Sequence, residues 1–236
     1  MKRGVVSFRM AVTVLMLLVV SLVLCGCTSK SSSSDGSKES SQSSSGARLA
    51  SSMKDYAQQL LASHALEMGP EQTASVKKVI STGKVSNSEY EAAWDRYVSC
   101  VTDKGYEKPV WYTFPNGIRN QQLLSAPPDK EDDSQYVSKW LDDLRLCSNR
   151  NLDVIQDLYE AQTDNPNLYA DHDEGALDCL KRKKLVAQSI TLDQYREDMD
   201  KWDHRRPGEK PKMSYDMGDD NVLACIAANG ISFNME

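Results

Sequence analysis

The residue types in this chain that can do chemistry fall into three groups. Four cysteines, Cys100, Cys147, Cys179 and Cys225, can form covalent bridges or bind a soft metal. The run Asp171-His172-Asp173-Glu174 offers four side chains able to ligate a divalent ion, and Lys181-Arg182-Lys183-Lys184 could attract an acidic polymer. Each group also has a structural reading. Carboxylates just before and within a first helical turn complement the positive end of the helix dipole, so Asp171 to Glu174 read as a cap. Cations in the last turn of the same helix complement its other end, which accounts for the basic run. Asp216 to Asn221 lack the spacing of a calcium loop and read as a helix start near Asp219. The histidines, His64, His172 and His204, are few and scattered, and no Gly-x-Ser-x-Gly, His-Glu-x-x-His or phosphate-cradling glycine loop is present. The sequence points to no catalytic residue, no metal and no cofactor.

The fate of the cysteines depends on the compartment, and the N-terminus addresses that. Lys2, Arg3 and Arg9 precede an uncharged run from Met10 to Ser29, the layout of an export signal. A run of about 20 uncharged residues could instead span a bilayer, but its far side carries no stop-transfer cluster. Its end, Leu24-Cys25-Gly26-Cys27, resembles the Leu-x-Gly-Cys signal of bacterial lipoproteins, with a small residue just before the acylated cysteine. Cys25 follows bulky Leu24 and does not fit. The resemblance implies cleavage after residue 26 and lipid on Cys27. Residues 1–26 hold three cations and no acids, so the mature chain keeps 25 Lys and Arg against 34 Asp and Glu, a net charge of −9. That surface disfavours nucleic acid and sustained docking on anionic lipid. Attachment would come from the acyl chains, each buried methylene contributing about 0.8 kcal/mol. Residues 28–46 contain eleven serines and nothing apolar to bury, so with Cys27 they read as a tether, 27–46, with an r.m.s. span of about 25 Å.

In an exported chain four cysteines suggest two disulfides. Three connectivities exist, and the near-equal spacings favour Cys100–Cys147 and Cys179–Cys225. A local pattern repeats around the outer two: Cys100-Val101 with Gly105-Tyr106, and Cys225-Ile226 with Gly230-Ile231. With each glycine in the left-handed position just past a helix, Tyr106 folds back on Val101 and Ile231 on Ile226, the contacts of a Schellman ending. The expected fold is mainly α, with two helix-loop-helix modules, 47–165 and 166–236. Each holds one bridge, and the first also holds a small β-hairpin.

Hydrophobic period places helices near 48–67, 71–81, 87–101, 133–147, 149–162, 173–186, 191–202 and 219–229. Capping boxes start two of them, Ser86 with Glu89 and Thr191 with Gln194. Tyr90, Trp94, Tyr97 and Val101 form one helical face and read as core. Trp111 to Phe114 and the residues after Pro115-Asn116-Gly117 read as two short strands whose aromatic edge could serve recognition. Residues 203–218 read as a surface loop.

Residues Glu89, Tyr90, Ala93, Cys100, Gly105 and Tyr106 together resemble exported lipoproteins of Gram-positive, actinobacterial type. Those carry Glu-Tyr-x-x-Ala, then a cysteine, then Gly-Tyr. The later cysteines and Tyr159 fit the same pattern, and the likeness spans roughly two-thirds of the mature chain. The Ser-rich segment and the hairpin are outside it. It implies a disulfide-bonded domain held by Cys27 to the extracytoplasmic face of the cell membrane, and no catalytic activity. The expected role is binding an envelope or membrane protein. An accessory subunit of a transporter is the alternative, and a metal-dependent hydrolase built on Asp171 to Glu174 the third. If Cys27 carries the lipid, Cys27→Ala releases the protein from membranes on fractionation; a chain that stays membrane-bound and uncleaved would refute that reading.

Overall fold

The computed structural model describes residues 46–122 and 126–231. The export signal, Cys27 and the tether up to residue 45 lie outside the described residues. Within them the chain forms α1 (Met53–Ser63), α2 (Pro70–Thr82), α3 (Asn87–Asp103), β1 (Trp111–Thr113), β2 (Arg119–Gln121), α4 (Ser134–Asn151), α5 (Asp153–Asp164), α6 (His172–Arg182), α7 (Leu192–Asp203) and α8 (Asp220–Ala227). The mainly helical fold with one small hairpin is as the sequence implies. Among the described residues no helix is long and apolar enough to cross a membrane.

The helix starts follow their caps. Ser86 and Glu89 exchange side-chain and backbone hydrogen bonds, as do Thr191 and Gln194. Helix α1 begins later than its apolar period suggests. The backbone of Ala47 to Leu49 is committed elsewhere, with Leu49 N–H donating to Leu168 O at 2.7 Å and Ala47 O accepting from Ala170 N–H at 2.9 Å. Ser52 then caps the helix.

Two cores form. The first gathers α1 to α5 and the hairpin; Tyr90, Trp94 and Tyr97 are each 2% exposed and Val101 0%, so the α3 stripe is core. The second gathers α6, α7, α8 and part of the segment between α7 and α8. That segment is less of a surface loop than its prolines and glycines suggest. Tyr215 and Met217 are buried, and buried Asp198 accepts from Ser214 N–H at 2.7 Å, drawing the chain inward. Helix α8 serves both cores, giving Ala224, Ala227 and Ala228 to the first and Val222, Cys225 and Ile226 to the second.

The disulfides are Cys100–Cys147, joining α3 to α4, and Cys179–Cys225, joining α6 to α8. Each closes a loop with a sequence separation of 47 or 46 residues, and by restricting the unfolded chain each contributes about 4 kcal/mol.

Both Schellman endings are present. Tyr106 N–H donates to Val101 O and Gly105 N–H to Thr102 O; Ile231 N–H donates to Ile226 O and Gly230 N–H to Ala227 O. Gly105 and Gly230 have φ of 84° and 72°. A third ending of the same kind closes α6, where Leu185 N–H donates to Leu180 O and Lys184 N–H to Lys181 O. Lys184 takes the left-handed position with φ 60°, ending α6 four residues before the apolar period suggests. Three of the four cysteines therefore directly precede the residue on which a helix end folds back.

These endings predict opposite signs for one kind of change. A Cβ at residue 105 would meet nothing within 4 Å, so Gly105→Ala isolates the backbone cost, about 1–2 kcal/mol. Lys184→Gly relieves the same strain and stabilises by up to ~1 kcal/mol. Gly230→Ala costs more than Gly105→Ala, because its Cβ would crowd His172 at 3.2 Å. Urea-unfolding midpoints of the three variants check the order.

Candidate functional site

A cleft of about 300 Å³ opens between β2, the exposed side of α5 and the end of α8. Its floor is apolar and fixed, formed by Trp94, Tyr97, Ile118 and Leu152, each at most 5% exposed. Gln121, Asp153, Gln156 and Glu160 supply polar groups, and Ala227 and Ile231 form the opposite wall.

Helix α5 follows α4 after a single residue, Leu152, which has no side chain able to cap it. Gln72 of α2 provides the cap from a distance. Its Oε1 accepts from Val154 N–H at 3.1 Å and its Nε2 donates to Asn149 O at 2.7 Å. One buried carboxamide thus satisfies the start of α5 and the end of α4. The α2 start lies close enough for Gly69 N–H to reach Arg150 O at 2.8 Å, and a Cβ on Gly69 would sit 2.9 Å from that oxygen. Glycine is required by this approach.

Gln156 occupies the centre of the cleft wall. Its Oε1 accepts from Tyr90 O–H at 2.7 Å and Trp94 Nε1–H at 3.1 Å; its Nε2 donates to Arg119 O at 3.2 Å and to Glu160. Arg119 N–H donates back to Tyr90 Oη at 2.9 Å. The outer edge of β2 is therefore sealed at Arg119 by side chains. The Arg119 guanidinium lies over the Trp111 ring, 5.0 Å from its centroid.

Loss of hydration pushes the Glu160 carboxyl up to about 8; the Asp157 charge adds to this and the Gln156 hydrogen bond opposes it. Asp153 is raised by burial against a hydrogen bond from Ser148. Two carboxyls that line the cleft, Asp153 and Glu160, thus hold their protons more tightly than free side chains do, a property concentrated at functional sites.

Comparison with protein-family models, curated proteins and solved structures gives no match for this chain. The site is therefore read from its own chemistry.

The residues singled out in the sequence lie elsewhere. Asp171 caps α6, accepting from Asp173 N–H at 3.0 Å and Glu174 N–H at 3.2 Å, and Arg196 pairs with both Asp171 and Asp173. His172 Nδ1 bonds Asn229 O, and Glu174 accepts from Gly46 N–H at 2.9 Å. The run is a cap and a junction. Arg182 pairs with Asp178 at 2.8 Å and Lys183 with buried Asp164 at 2.8 Å, so half of the basic run is engaged within the fold. Among the described residues Asp164, Cys179 and Cys225 lie close enough to share a metal ion, but both sulfurs are spent in the disulfide. The hairpin aromatics do not form a free edge. Phe114 is 2% exposed and Trp111 packs 5.3 Å from Trp94, because the hairpin must cover α3.

Gln72, Gln156 and Glu160 were not legible as site residues.

The raised carboxyls set a pH dependence. Folded Glu160 keeps a proton that an unfolded glutamate releases near pH 4.3, so its contribution is complete below that pH and is lost as pH rises towards about 8. Between pH 5 and 8 the urea midpoint of the wild type falls, and Glu160→Gln flattens the decline by on the order of 1–2 kcal/mol once solvent screening is allowed for. Carboxyls lowered by their partners, such as Glu89 and Asp198, act below this window. Equal slopes for wild type and variant would show that Glu160 ionises freely.

Proposed function

We propose that this chain is an exported, lipid-anchored binding module of the bacterial envelope, which takes a segment of a partner protein into the cleft between β2, α5 and α8. The observation that carries this reading is the cleft itself, where a buried apolar floor meets Gln156 and a Glu160 carboxyl whose ionisation its surroundings disfavour. A concave apolar surface with a few fixed polar groups is the form of a recognition site. A neutral carboxyl beside a carboxamide offers donors and acceptors without the cost of desolvating a charge.

The covalent framework suits an exterior location. Both disulfides lie within cores, and the segment that would lead to the anchor is fastened before it reaches α1. Gly46 N–H bonds Glu174, Leu49 pairs with Leu168, and Arg48 stacks 4.1 Å over the Tyr169 ring. A pull on the tether would fall on the α5–α6 junction and leave the first helix unloaded. The lipid at Cys27 and the actinobacterial likeness belong to the same proposal. In the accessory-subunit version the partner is a permease.

A photo-crosslinking residue placed at Gln121 in the full chain, on intact cells, tests it. A discrete adduct is expected from Gln121 and none from exposed Glu209, outside the cleft. Adducts from both positions alike, or from neither, would refute the cleft as the interface.

A further inference from the structure

A second concavity, about 350 Å³, lies where the turn after α3 meets the start of α4. Three aromatic residues, Tyr106, Tyr136 and Trp140, line it with Pro127, Pro128 and Val110. The aromatic walls are held in place. Tyr106 is the fold-back residue of the α3 ending, and its hydroxyl donates to Asp143 at 2.6 Å. The Tyr136 ring stands at 87° to it, with centroids 6.5 Å apart, and Trp140 is only 7% exposed. The two rings pack edge to face along one side of the groove.

The charges around this groove are distributed unevenly. Glu107 and Glu131 line the concavity and are exposed, and among the described residues neither has a hydrogen-bond or ion-pair partner. Lys108 also lines the groove, and the other nearby cations are occupied. Lys139 pairs with Asp143 and lies 5.8 Å from the Tyr106 centroid, Lys104 pairs with the same Asp143 at 2.7 Å, and Lys108 lies 5.8 Å from the Trp111 centroid. The Tyr106 ring therefore already attracts an ammonium group, and the carboxylates left over are negative.

We propose that this groove binds a small organic cation whose charge is spread over methyl groups, a quaternary ammonium. Ring faces attract such a cation through their quadrupole. Methyl groups also pack on prolines and Val110, where an ammonium or guanidinium would lose hydrogen bonds to water without replacing them. Glu107 and Glu131 supply the countercharge from the rim. The groove is separate from the cleft of the proposed function and does not depend on it.

The test is a calorimetric titration of choline into the full disulfide-bonded protein, beside 3,3-dimethylbutan-1-ol, its uncharged carbon isostere. Choline is expected to bind saturably and the isostere about tenfold more weakly. The double variant Glu107→Gln/Glu131→Gln changes only exposed side chains and is expected to weaken choline several-fold. Tyr136→Leu removes one wall and is expected to abolish the difference between choline and the isostere. Crosslinking from Gln121 is expected to be unchanged in both variants, which separates failure here from failure of the cleft. Equal binding of the two compounds by the wild type, no saturable choline binding, or full affinity in Tyr136→Leu would overturn the proposal.

Discussion

The carboxamide of Gln72 holds the junction on which the rest of the first core depends. Helices α4 and α5 meet across Leu152, where α5 has no side-chain cap of its own and Val154 is buried. An uncapped helix start leaves backbone N–H groups without partners, each costing about 1–3 kcal/mol when buried. Gln72 is itself 0% exposed and answers this from α2, bonding Val154 and Asn149. The position of α5 is thereby tied to α2 rather than to its own sequence. Because α5 packs on α1, α2, α3, α4 and α6, that one amide orients the helix whose free side becomes the cleft.

Beside the apolar faces of α8, polar contacts join the two cores. Each disulfide lies inside one core and leaves their mutual placement alone. Buried Asp164, at the end of α5, accepts from Asn116 of the hairpin turn at 2.7 Å and from Lys183 at 2.8 Å, and Arg182 donates to its carbonyl at 2.7 Å. Asn116 also donates to Ala224 O at 3.2 Å, reaching α8. A buried charge left without its partners is strongly destabilising, so these donors must stay in register. The cleft lies beside this joint: α5, β2 and Ala227 belong to the first core, and Ile231 packs on the second. Its width therefore depends on hydrogen-bond geometry more than on the staples.

Much of the fold was legible because its signals are local. Ser86 with Glu89, Thr191 with Gln194, and the glycines at 105 and 230 each declare a helix end within six residues of sequence. The near-equal cysteine spacings suggested the pairing because each bridge stays within a module. What stayed hidden is long-range. Gln72, Gln156 and Gln162 each bind backbone or side chains more than 60 positions away, and glutamine has no spacing that announces such a role. Lys184 escaped notice for a different reason. It takes a backbone conformation that glycine favours, held there by Leu185 folding back on Leu180. The segment after α7 looked like solvent-exposed punctuation because its two prolines and two glycines outweigh a tyrosine and two methionines in any local count.

The carboxyls of α5 show how one helix assigns different work to one chemical group. Asp164 meets Lys183 and Asn116 and serves as a structural joint. Asp153, in the first turn, lies where the helix dipole favours a negative charge. Glu160 has neither advantage. Its described hydrogen bond comes from Gln156, whose amide already serves Tyr90, Trp94 and Arg119, and the surroundings press it towards its neutral form. The half-buried carboxyl gains little from this arrangement, since its partner's amide is shared among several groups. A carboxyl whose presence folding does not explain, set in the wall of a preformed cleft, is best explained by what enters that cleft.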